Sequence, residues 1–269
     1  MKAVLNAYGR ALLSQFHGKM LLLSVAPSLL SLAVWAAALY FGWQPLLDWM
    51  QGIFIEHELY HYSSSWLAQL GLTAVKTIIV PLAAILAVVP LMILTALIFI
   101  GVAAMPAIVR HVGGRHYPQL EMKKGGSLAG SVGVALCGFA IFAVVWVATL
   151  PLYAFPPAAL ALQVFLWGWL TARVMAYDAL SDYASAEELA QLRREHRWRL
   201  IAIGIVSGAA GAVPGVVWLA GTAIAIVMFP FLAAISIWLY VLIFIFTGLW
   251  FQYYCLEALA KQRSLTKGE

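Results

Sequence analysis

The residues best suited to catalysis in this chain are His57, Glu58 and His61. They fall in the order His57-Glu58-Leu59-Tyr60-His61 and match H-E-x-x-H. On a helix the two imidazoles would share one side a turn apart, and the glutamate would act as general base on a zinc-bound water. A catalytic zinc also needs a third protein ligand and an open fourth position. The chain offers few ligands nearby. Asp48 and Glu56 precede the motif, the next carboxylate after it is Glu121, and the other histidines are His17, His111, His116 and His196. The bland reading is an aromatic, polar helix at a membrane surface in which the spacing arose by chance. That reading is favoured, so no metal and no cofactor is assigned, and a membrane zinc hydrolase is kept as the minor alternative.

Two further patterns carry paired readings. Gly204, Gly208, Gly211 and Gly215 stand at short intervals with Pro214 among them. They could break a helix and let freed backbone groups line a polar path, as in transporters. They could also form Gly-x-x-x-Gly faces for close helix packing, which is the favoured reading. The stretch Tyr177 to Arg199 opens a helix with the capping box Ser185-Ala186-Glu187-Glu188. Acidic residues at its start and Arg193 and Arg194 at its end both suit the helix dipole. Arg193, Arg194, Arg197 and Arg199 either collect anions at a pore mouth or rest an amphipathic helix on anionic lipid, with the second favoured. The chain shows no glycine-rich phosphate loop, paired catalytic carboxylates or nucleophile elbow.

The elements that must position these residues are apolar. Hydrophobic residues make up 64% of the chain and charged residues 10%, too few charges to cover a water-facing surface. A helix needs about 20 apolar residues to cross the ~30 Å hydrocarbon layer. Segments 20–43, 77–104, 127–153, 157–176, 200–222 and 223–254 therefore predict an all-α, polytopic integral membrane protein with six membrane-inserted helices in a single domain. Segments 157–176 and 200–222 could instead enter as hemi-penetrating hairpin arms. Residues 44–71 are predicted to lie along the outer interface as one or two short helices, and 177–199 to form an amphipathic helix on the cytoplasmic side. Leu5, Tyr8, Leu12, Leu13 and Phe16 predict an interfacial helix before the first span. That span reads as an uncleaved signal anchor, being longer than a signal-peptide core.

Lys and Arg alternate between the connections. Lys2, Arg10 and Lys19 precede the first span, Arg110, Arg115, Lys123 and Lys124 follow the second, and Lys261, Arg263 and Lys267 close the chain. Lys76 is the exception. Short cytoplasmic loops retain such residues, so both termini are expected in the cytoplasm. The net charge of +5 is thus topogenic and lipid-facing and does not point to nucleic acid. Cys137 and Cys255 both lie in apolar spans, which argues against a disulfide framework. The spans carry no charge at mid-depth, which argues against a proton- or sodium-coupled carrier.

Three stretches carry a family resemblance: Ala7-Tyr-Gly-Arg-Ala-Leu12 ahead of a Pro-containing span; Tyr177-Asp178 followed by the Glu187/Glu188 and Arg193/Arg194 helix; and Leu249-Trp-Phe-Gln-Tyr-Tyr-Cys255 leading into a basic tail. Together they resemble the etoposide-induced 2.4 (EI24) membrane family in its bacterial form, related to the CysZ-type sulfate permeases. The resemblance implies a bacterial inner-membrane, helical homo-oligomer surrounded by lipid, and in the permease branch the passage of sulfate. Where that branch carries a Gly-Leu-Leu-Ala-Glu element, this chain reads Ala107-Ile-Val-Arg-His-Val-Gly-Gly-Arg-His116. The leading expectation is a non-enzymatic permease or channel-like protein for a small inorganic anion, sulfate by family analogy. Arg110, His111, Arg115 and His116 would supply the cytoplasmic attraction, and exposed amides near Gly211, Pro214 and Gly215 would line the path. The rival is a non-transporting membrane organiser that binds lipid or partner subunits.

Overall fold

The computed structural model describes residues 2–56, 95, 104–221 and 225–266, which are helical apart from short turns and contain no strand. In chain order the helices are α1 (Lys2–Gln15), α2 (Gly18–Glu56), α3 (104–116), α4 (Leu128–Ala148), α5 (Pro156–Leu180), α6 (Ala186–Glu195), α7 (Arg197–Gly221) and α8 (Ala225–Thr266). A 3-10 turn, Leu150–Ala154, joins α4 to α5. Among the described residues, Gly18–Leu46, Leu128–Ala148, Pro157–Leu180 and Ala234–Leu265 are long and apolar enough to cross a membrane. Their outward faces explain the composition. Leu128 is 86% exposed and Phe41 79% exposed, a liability in water and an ordinary contact in lipid. The protein is a helical membrane protein. The segment expected at 77–104 lies outside the described residues except at Thr95 and Ala104.

The core is built around α8. Ile237, Val241, Ile245, Leu249 and Leu256 form one fully buried stripe along it, and α1, α2, α5 and α7 pack around it. The α1 helix buries Val4, Ala7, Ala11 and Ser14 against α8, positions three and four apart as a helix face requires. Trp250 Nε1 donates to the Val4 carbonyl at 3.0 Å, and Tyr8 stacks edge-on against Phe246 and Trp250. Leu5, Leu13 and Phe16 are left exposed on the other side of α1, which suits the interfacial helix expected there.

Helices α5 and α7 approach closely at two glycines. A Cβ on Gly204 would overlap the Gly168 carbonyl oxygen, and one on Gly168 would lie 2.8 Å from the Ile205 backbone. The packing role expected for Gly204 is realised there, with Gly168 as the partner that spacing alone did not reveal. Gly208 is looser, 3.9 Å from Gly168, and Gly211 meets nothing within 4 Å.

The α2 helix continues to Glu56 with Pro45 inside it, beyond the membrane-length stretch Gly18–Leu46, so the first part of the connection expected at 44–71 is helical. Two sequence expectations need correction. Residues 177–199 are not one helix: they hold the end of α5, a turn at 181–185, all of α6 and the start of α7. The final helix runs from Ala225 to Thr266, so most of the membrane segment expected at 223–254 lies in one helix that continues into the basic tail. The second correction is that α7 is not broken at Pro214, which sits inside a continuous helix. Proline removes only its own N–H and frees the carbonyl four residues earlier, here Ala210. The group released is an acceptor, so no row of exposed amides for an anion arises at Gly211, Pro214 and Gly215.

Candidate functional site

The end of the bundle that carries α1, α3, α6 and the tail of α8 gathers most of the cationic side chains. The α3 helix buries Ala104, Met105, Ile108, Val109 and Val112 on one face, which aims its polar residues the other way. Arg110 is exposed and its Nε donates to the Pro106 carbonyl of its own helix at 3.1 Å. Arg115 reaches α1's neighbour His17, with Nη1 donating to Nε2 at 3.1 Å. The His17 and His111 rings lie 5.1 Å apart. His116 Nδ1 lies 3.3 Å from the Tyr253 hydroxyl, which in turn is 2.6 Å from Ser14 Oγ. Arg10 Nη1 lies 3.5 Å from Glu257 Oε2 and donates to the Tyr117 hydroxyl at 3.4 Å.

Burial and neighbouring cations disfavour the charged form of two of these histidines. Burial lowers the His111 pKa, and the nearby His17, Arg115, His116 and Lys19 lower it further. His116 is lowered by burial first, then by Arg115 and Arg10. The standing positive charge therefore comes from Arg10, Lys19, Arg110 and Arg115. Among the described residues, Glu257 is the carboxylate ion-paired with this group, through Arg10. The cluster offers guanidinium and imidazole donors to an anion, and groups of three or more metal-ligating side chains do not occur among the described residues.

A second centre braces this end. Glu188 accepts from Arg263 Nη2 at 2.8 Å and Nε at 3.0 Å, from Lys123 Nζ at 2.9 Å and from the Ser185 amide at 2.9 Å. The Arg263 bonds, followed by those from Lys123 and Ser185, hold its carboxyl at about 2. Arg263 also donates to the Glu121 and Tyr183 carbonyls. The predicted capping box is complete, with Ser185 Oγ accepting from the Glu188 amide at 3.2 Å. Beside it the amides of Lys124, Gly125 and Gly126 donate to the Asp182, Ala184 and Ser181 carbonyls. A Cβ on Gly126 would lie 2.6 Å from Ser181 Cβ, so only glycine lets the linker run this close. A cleft of 860 Å³ opens between the two centres, lined by His116, Tyr117, Lys123, Glu188 and Arg263 among others.

The structure brings His111, Arg115 and His116 together with α1 and leaves Arg110 exposed on the same helix. Gly211, Pro214 and Gly215 are elsewhere: Gly211 stands roughly 21 Å of helix rise beyond Arg197, at the start of α7. The H-E-x-x-H motif lies outside the described residues. Sequence reasoning missed Arg10, Ser14, His17, Tyr253 and Glu257 as members of the site. Part of the signal was present in the spacing, since Arg10 and Ser14 fall at i, i+4 on α1 and Tyr253 and Glu257 at i, i+4 on α8, whereas His17 lies in the turn after α1.

A family model described as Sulfate transporter CysZ/Etoposide-induced protein 2.4 matches residues 7–222. No curated protein and no solved structure matches the chain. The matched stretch contains most of α1 and all of α3 and α6, while the whole of α8, with its buried stripe and Arg263, lies beyond it.

Proposed function

We propose a function from the premise that the chain belongs to the EI24 family, that of sulfate transporter CysZ and etoposide-induced protein 2.4. The protein passes a small inorganic anion across the inner membrane, with sulfate the substrate the family description points to, and its basic end faces the cytoplasm as the Lys and Arg asymmetry requires. The observation that carries this reading is the convergence of Arg10, Lys19, Arg110 and Arg115 with His111 and His116, a group in which, among the described residues, Arg10 is ion-paired, to Glu257. Fixed cations at a low-dielectric mouth raise the local anion concentration. In this reading Arg115, bonded to His17, contacts the anion and Arg110 steers it, both side chains being exposed. The protein works without catalysis and as a homo-oligomer, which crosslinking in native membranes checks.

Purified protein in sulfate-loaded liposomes, against empty vesicles, tests the reading. Flux above the control is expected, reduced several-fold in an Arg110→Gln/Arg115→Gln variant. Added salt should mimic the loss of Arg110, because exposed charges are screened over about 8–10 Å at physiological ionic strength. Lys at position 110 should retain flux and Lys at 115 should not, since only Arg presents a planar fork. Flux equal to empty vesicles, from protein that melts cooperatively, would leave the membrane-organiser reading in its place.

A further inference from the structure

A second basic cleft lies on another face, where α5, α6 and α7 meet. It measures 100 Å³ and is lined by Trp169, Ala172, Arg173, Arg193, Arg197, Leu200 and Ile201. Three guanidiniums therefore converge on a space of about three water volumes. None of the three is ion-paired to a carboxylate among the described residues, whose salt bridges involve Arg10, Lys123 and Arg263 instead. The carboxylates nearest in sequence are engaged elsewhere, Asp178 by the Ser131 hydroxyl and Glu195 by Gln191 Nε2 at 2.9 Å. Arg173 Nε is buried with no hydrogen-bond partner, although guanidinium donors withheld from water normally find acceptors. The rest of Arg173 is held in place. Its Nη2 lies 3.8 Å from Cys137 Sγ, and its guanidinium sits over Trp169 at 5.5 Å. Burial and the like charge of Arg173 lower the Arg193 pKa, the signature of cations assembled without a counter-ion. Beside the cleft Trp198 is exposed, and Arg197 covers its ring at 5.0 Å. An exposed tryptophan of this kind suits the headgroup level of a bilayer.

We infer that Arg173, Arg193 and Arg197 form a binding site for a phosphate-type oxyanion at the membrane surface. Guanidinium N–H groups that face the cleft then donate to the oxygens of the ligand, since guanidinium matches tetrahedral oxyanions bidentately. Two sources share that chemistry: the headgroup of an anionic phospholipid, whose acyl chains would run down the exposed apolar flank, and a free phosphate or sulfate ion. Basic pockets between membrane helices take lipid headgroups by this geometry. The site is separate from the α1–α3 cluster and does not depend on transport.

Native mass spectrometry of the full chain in neutral detergent tests it, with phosphatidylglycerol and phosphatidylcholine offered in equal amounts and inorganic sulfate titrated in a parallel melting assay. Wild type should retain phosphatidylglycerol at least tenfold over phosphatidylcholine. An Arg173→Gln/Arg193→Gln variant should lose most of that preference, whereas Arg194→Gln, an exposed charge on the same helix outside the cleft, should keep it. Stabilisation by sulfate without lipid preference, absent in the double variant, keeps the oxyanion site and assigns it to the free ion. Should the double variant fail to fold, Arg197→Gln, at an exposed position, gives the same reading. Equal retention of both lipids with no sulfate effect, or full retention by the Arg variants, overturns the site.

Discussion

Glu188 is the residue on which the basic end turns, because three chain segments meet on one carboxylate. Arg263 comes from the end of α8, Lys123 from the linker after α3, and Ser185 from the cap of α6. Its side chain is 16% exposed, so these charged bonds are worth more than surface pairs. Glu188→Gln should lower stability by roughly 2–3 kcal/mol, the scale of lost hydrogen bonds to charged groups, measured by thermal melting in detergent. The pH profile carries the sign. A carboxyl lowered from 4.5 to about 2 contributes its stabilisation fully above 4.5 and loses it as pH falls toward 2. The Gln variant should lack that acid-side step. His111 and His116 add a second acid response. Their folded pKa values lie below the ordinary 6.5, so the unfolded chain takes up protons first. Stability is intact above 6.5 and falls as pH drops through the lowered values. The same protonation adds positive charge at the mouth, so anion flux should rise while the melting temperature falls. A His111→Gln/His116→Gln variant should weaken both slopes, and unchanged slopes would show that these histidines do not titrate in the working range.

At the scale of elements, glycine positions separate contact from open space. Gly204 faces the Gly168 carbonyl across the α5–α7 seam, whereas Gly211, two turns further along α7, meets nothing. Gly204→Ala should therefore cost roughly 1–3 kcal/mol from forced separation of the two backbones. Gly211→Ala should be neutral or stabilise by up to about 1 kcal/mol, because Ala is the better helix former. Paired melting curves check this, and equal effects at the two positions would remove the seam from the account. Several elements were legible before any coordinates: the α1 amphipathic pattern, the Ser185 cap and the apolar runs of α4 and α5. The division of 177–199 was not. Its turn persists because the linker amides at 124–126 satisfy the carbonyls of 181–184, partners more than fifty residues away that no local propensity reports.

At the scale of the molecule, the arrangement of the basic end bears on orientation. Gly114 adjoins Arg115, Glu187 lines the cleft beside Lys123, and Lys261 precedes Arg263 on α8. We expect single cysteines at positions 114, 187 and 261 to resist a membrane-impermeant reagent in intact cells, and cysteines at 52, 155 and 221 to react. Labelling from outside at 114 or 187 would reverse the orientation. Silence at 221 alone would mean that α7 and α8 enter from the inside without fully crossing.

Composition and charge order by themselves determined that this is a helical membrane protein, where most of its apolar runs lie and which connections carry cations. Those properties follow from burying backbone in lipid and from the cost of moving Lys and Arg across it, and both act locally along the chain. The tertiary structure alone decided that α8 would be the central helix, that Gly168 would meet Gly204, and that His17 and Tyr253 would join the histidines of α3. Each of these is a pairing between distant segments, selected by which faces fit closely enough to exclude lipid and by which buried donors find acceptors.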